Sequence, residues 1–77
     1  MSEPEIKEQY QEKAKNILKS ELKRRGITYA DLAEKLKAVG FSDNERNIAN
    51  KISRGSFTAG FFMLCMDVIG ASALQLT

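Results

Sequence analysis

The chain has 77 residues, 43% hydrophobic and 29% charged, with a formal net charge of +2. That length makes one domain, spanning 1–77, which buries only about 60% of the surface its unfolded chain exposes, too little to surround a large cavity and keep a core. The lack of any histidine excludes a Ser-His-Asp triad, a Cys-His pair and a histidine-bearing zinc site, and the composition excludes collagen-like, disulfide-framework and disordered classes.

The pattern predicts helices throughout, without repeats or linkers. The first spans about 3–25. Ser2 and Glu5 have capping-box spacing, and Pro4 fits a first turn. Ile6, Tyr10, Ala14, Ile17, Leu18 and Leu22 make one apolar stripe at spacings of three and four. Lys23, Arg24 and Arg25 complement the negative end of the helix dipole or flank a bound duplex, and Gly26 ends the helix. The second helix spans about 29–39, capped by Thr28 with Asp31. It buries Leu32, Ala33, Leu36 and Val39 and stops at Gly40.

The third helix spans about 43–54, with Ser42 and Glu45 as a capping box, Ile48, Ala49 and Ile52 inward, and Gly55 as the stop. The fourth spans about 59–69, capped by Thr58 or Ser56 and stopped by Gly70. Phe57, Phe61, Leu64, Cys65 and Val68 form its core face. Phe62, Met63, Met66 and Ile69 fall to the side, an apolar excess that points to an interface. In the tail, Leu74 and Leu76 alternate with Gln75 as in a strand, while one more helical turn also fits. The expectation is a homodimer joined through Phe62, Met63, Met66, Ile69, Leu74 and Leu76. In the alternative, the fourth helix is the central core helix of a monomer, covered by the first.

Cys65 is the one cysteine, reads as a buried small apolar residue, and suits a reducing cytosol. No apolar run approaches the ~20 residues of a membrane span. The opening Met-Ser-Glu-Pro-Glu lacks the basic-then-apolar order of a signal peptide. The expected location is cytoplasmic. With no metal cluster and no glycine-rich phosphate loop, the sequence indicates neither an enzyme nor a cofactor, metal or small-molecule substrate.

Charge is unevenly spread. Residues 1–22 carry four lysines against five glutamates, residues 23–55 eight basic against four acidic residues, and residues 56–77 only Asp67. An anionic partner is therefore sought on the middle segment.

Gly26-Ile-Thr-Tyr-Ala-Asp-Leu-Ala-Glu-Lys-Leu36 resembles the start of helix 2 in lambda-repressor-like regulators of the Cro type, and Ile52-Ser-Arg-Gly55 resembles the close of their recognition helix. Together with Leu22-Lys-Arg-Arg-Gly, Asn50-Lys-Ile-Ser-Arg-Gly55 and Phe61-Phe-Met-Leu-Cys-Met66, they resemble a small bacterial family of unknown function with a helix-turn-helix core. The resemblance spans roughly residues 18–70. It implies an all-α, compact four-helix, lambda-repressor-like domain in which helix 2 crosses the DNA backbone and helix 3 enters the major groove. The stretch between Leu36 and Ile52 is longer than is usual in such regulators.

With Ile48, Ala49 and Ile52 inward, the outward face of helix 3 centres on Asp43, Asn47, Asn50 and Arg54, with Arg46 and Lys51 at its edges. Asn suits adenine and Arg suits guanine, each through two hydrogen bonds. Tyr29 sits where the resembling regulators often carry a phosphate contact. The sequence thus points to a DNA-binding transcriptional regulator or accessory factor that contacts duplex DNA through Tyr29, Arg46, Asn47, Asn50, Lys51 and Arg54. Asp43 and Glu45, which repel phosphate, support the alternative of a protein–protein interaction module that keeps the fold without binding DNA.

Overall fold

Four helices, α1 (Glu3–Arg24), α2 (Tyr29–Ala38), α3 (Glu45–Arg54) and α4 (Ala59–Val68), make up the protein in the computed structural model, which describes residues 2–74 and 76. No strand occurs among the described residues, so the domain is all-α. No helix among them is long and apolar enough to cross a membrane.

Each helix begins on a side-chain oxygen. Ser2 accepts from the Glu5 N–H, Asn44 from Asn47 and Thr58 from Phe61. At α2, Thr28 and Asp31 exchange both bonds of a capping box, as the sequence predicts. The start of α3 departs from the prediction by two residues, because Asn44 rather than Ser42 is the cap. Asp43 then precedes the helix, and its carboxylate accepts the Asn44 N–H at 2.9 Å.

Three helices end in the same way. Ile27 N–H donates to the Leu22 carbonyl, Phe41 to Leu36 and Ala71 to Met66, each at 2.9 Å. A glycine one residue earlier makes a shorter loop back, at Gly26, Gly40 and Gly70. This is the Schellman arrangement, in which the residue beyond the glycine folds onto the helix it has just left. Accordingly Ile27, Phe41 and Ala71 pack against the core. The last of these reversals settles the tail. Among its described residues, 71–74 and 76, there is neither strand nor helical turn: the reversal ends the helix, and the described residues hold no strand for the tail to pair with. Gln75 and Thr77 lie outside the described residues.

The core is Leu18, Leu22, Leu32, Leu36, Ile48, Ile52, Phe61, Cys65, Met66 and Ile69. Burying one such aliphatic side chain contributes about 1.5–3 kcal/mol. α3 packs on α1 and α2, and α4 packs on the same two helices. The α1–α3 crossing is very close. Gly55, the α3 cap at φ 69°, lies so near α1 that an added Cβ would stand 2.7 Å from the Gln11 carbonyl oxygen.

Two sequence expectations change here. α4 buries Phe61, Cys65, Met66 and, just past its end, Ile69, while Leu64 and Val68 are only half-buried. Met66 and Ile69, expected at a dimer interface, are 6% and 8% exposed within the protomer itself. On α1, the predicted stripe runs past the core: Leu18 and Leu22 are buried, but Ile6 and Tyr10 are exposed. Val39, assigned to the buried face of α2, is exposed as well.

Candidate nucleic-acid interface

The α3 face opposite Ile48 and Ile52 is polar and open. Arg46, Asn50 and Arg54 recur every four residues, so they form one line along the helix. All three are exposed, as are Asn47 and Ser53 beside them. Neither arginine forms an ion pair among the described residues.

Lys51 is placed differently. Its ammonium lies 3.3 Å from Asp43 Oδ2 and sits over two rings, 5.4 Å from the Phe41 centroid and 5.1 Å from that of Phe61. The Asn47 side-chain amide donates to Asp43 Oδ1 at 3.0 Å. The Asn47 amide, the Asn44 N–H and the Lys51 ammonium together hold the Asp43 carboxyl below its usual range. Lys51 already stands about 100° around α3 from the middle of the arginine line, and Asp43 holds its ammonium on the far side, over the two rings. Sequence reasoning missed this hold, although the four-residue spacing of Asp43, Asn47 and Lys51 was there to signal it.

Tyr29 is half-buried and packs against the core beside Leu22 and Thr28 at the α1–α2 joint. Of the six residues expected to contact DNA, Arg46, Asn47, Asn50 and Arg54 thus share one open face. Lys51 lies at its edge, and Tyr29 lies on another helix.

A family described as a domain of unknown function (DUF6471) matches residues 10–74, taking in the whole of α2, α3 and α4 and most of α1. The chain belongs to the DUF6471 family. No curated protein and no solved structure matches it.

Other basic groups of this DUF6471 domain are engaged elsewhere. Arg25, which the sequence placed beside a duplex or at the helix dipole, donates from Nε to the Ile69 carbonyl at 3.2 Å and pairs with Glu21 at 3.3 Å. Arg24 also pairs with Glu21. The residues expected at a dimer interface are divided. Phe62 stacks on Phe57, with centroids 6.0 Å apart and planes 4° from parallel. Met63, Leu74 and Leu76 are exposed. No group of three or more metal-ligating side chains exists among the described residues.

Proposed function

We propose that this DUF6471 domain binds duplex DNA, with α3 in the major groove and α2 across the phosphate backbone, as a transcriptional regulator or accessory factor. The reading extends the lambda-repressor-like resemblance of the α2–α3 segment. The observation that carries it is the line Arg46–Asn50–Arg54. It sets two guanidinium groups, without an ion pair among the described residues, about one turn either side of an amide, on the exposed side of a helix whose other side is core. Guanidinium forks match guanine edges and phosphates, and an amide matches adenine. The single thiol, buried and unpaired, fits a cytoplasmic site of action.

Titrating a fluorescent duplex at two salt concentrations tests this. Wild type is expected to bind with log K falling linearly with log salt, and the R46A/R54A variant to lose affinity together with part of that slope. Unchanged affinity in the double variant overturns α3 as the reader.

The hold of Asp43 on Lys51 and Asn47 favours a second reading, a module that binds another protein, because it removes a cation and an amide from the groove-facing set. Lack of any duplex binding near about 50 mM salt selects that reading.

A further inference from the structure

α3 lies antiparallel beside α1. Lys19 and Leu22 of α1 share one depression with Glu45 at the start of α3 and with Thr28 and Tyr29 at the start of α2. At the other end of α3, Gly55 stands against the Gln11 backbone and Lys15. The stretch from Glu45 to Gly55 therefore runs along α1 from Lys19 back to Gln11, and Arg46 falls beside Lys19. α4 meets α1 on a different side, where Arg25 holds the Ile69 carbonyl.

These two neighbours divide the surface of α1. At about 100° per residue, Lys15, Lys19 and Lys23 follow one another on the α3 side, while Lys7 and Lys13 lie on the α4 side. Lys15 is drawn to Glu12 at 2.9 Å. Lys19 and Lys23 are exposed and form no ion pair among the described residues. The helix dipole accounts for Lys23, in the last turn, but not for Lys19, farther in. The N-terminal part of the same side is acidic, with Glu5, Glu8 and Glu12.

A helix lying in the major groove runs between two phosphate strands, and a helix packed alongside it, about 8–10 Å away, runs beside one of them. We infer that Lys19 and Lys23 form a phosphate rail, which holds the DNA strand bordering the groove on the α1 side. The inference rests on the reading of α3 as the groove-entering helix. The two lysines stand about 6 Å apart along α1, so they follow the strand rather than grip one point of it. Glu45, the carboxylate lining the depression beside Lys19, repels phosphate, and the strand passes outside it. Glu12, Glu8 and Glu5 turn the strand away from the N-terminal half of α1. The contact is thus confined to the Arg46 end of α3. Phosphate contacts add affinity without reading sequence.

Titration of two fluorescent duplexes of different sequence, each across a range of salt, is the test. K19A/K23A is expected to bind both duplexes about tenfold more weakly near about 50 mM salt, with the ratio between them kept. The slope of log K against log salt is expected to fall by about 1.8 for the two cations removed. K7A/K13A removes the same charge from the α4 side and is expected to stay close to wild type. A wild-type slope in K19A/K23A, with binding that R46A/R54A still weakens, overturns the rail and leaves α3 as the reader. Equal losses in K19A/K23A and K7A/K13A also overturn the rail, because net charge alone would then account for them. A wild type that binds neither duplex overturns the DNA reading and the rail together.

Discussion

Asp43 and Lys51 meet across the first two turns of α3, with Oδ2 3.3 Å from Nζ. The pair keeps a cation against Phe41 and Phe61, where its stem covers apolar surface, and away from the open arginine line. The D43N variant is expected to release Lys51. Duplex affinity then rises, and the slope of log K against log salt steepens by about 0.9 for the one cation freed. Weaker binding by D43N would mean that the pair serves to position α3.

Asp31 and Asp43 are both held below the ordinary carboxyl value of 3.8, Asp31 chiefly by the Thr28 backbone N–H and hydroxyl. A lowered folded-state value means the stabilisation is present above 3.8 and is lost as pH falls through the lower value. Thermal midpoints are expected to stay level from neutrality to about pH 4 and to drop below it. Asp31→Asn should flatten that acid-side drop. A midpoint that falls steadily from pH 7 contradicts this assignment.

Gly55→Ala combines a left-handed backbone with a contact 2.7 Å from the Gln11 carbonyl oxygen. Backbone conformation alone costs about 1–2 kcal/mol, and moving α1 adds to it. In a domain this small each kcal/mol lowers Tm by roughly 4–8 °C. Gly26→Ala, with open space around its added Cβ, is expected to cost the backbone part only. Equal losses in the two variants, by urea denaturation, would show that the close α1–α3 crossing tolerates a methyl group.

Arg25 ties the end of α1 to the end of α4 through the Ile69 carbonyl, 44 residues away. Arg25→Met keeps most of the stem and removes the fork. The expected loss is about 1 kcal/mol, with faster amide hydrogen exchange at Gly70 and Ala71 than at the end of α2. Unaltered exchange there would sink the tie.

Burial pushes the Cys65 thiol up to about 12. Little thiolate exists near neutral pH, so the folded protein should resist a disulfide reagent that modifies it rapidly in denaturant. Immediate modification of the native protein would contradict its place in the core.

The helix count and the glycine stops were legible because both are local signals. Thr28 with Asp31 marks the start of α2 within one turn. The start of α3 was misread because Ser42 and Asn44 both carry capping oxygens, and Asp43, by binding the Asn44 N–H, favours the later one. α4 is apolar nearly all round, so periodicity could not distinguish Met66 and Ile69 from Leu64 and Val68. The stripe on α1 shows its period but not how far the neighbouring helices reach, and Ile6 and Tyr10 stand where no neighbour does. On the α3 face, residue types named the open line Arg46, Asn50 and Arg54. The loss of Lys51 depended on a carboxylate outside the helix.

The repeated reversal at the ends of α1, α2 and α4 has a kinetic consequence. Each spans five residues of sequence, so these helix boundaries can form before any two distant parts of the chain have met. Little loop-closure entropy then remains to be lost at the barrier, and refolding after dilution from denaturant is expected on the microsecond-to-millisecond scale of low-contact-order helical domains.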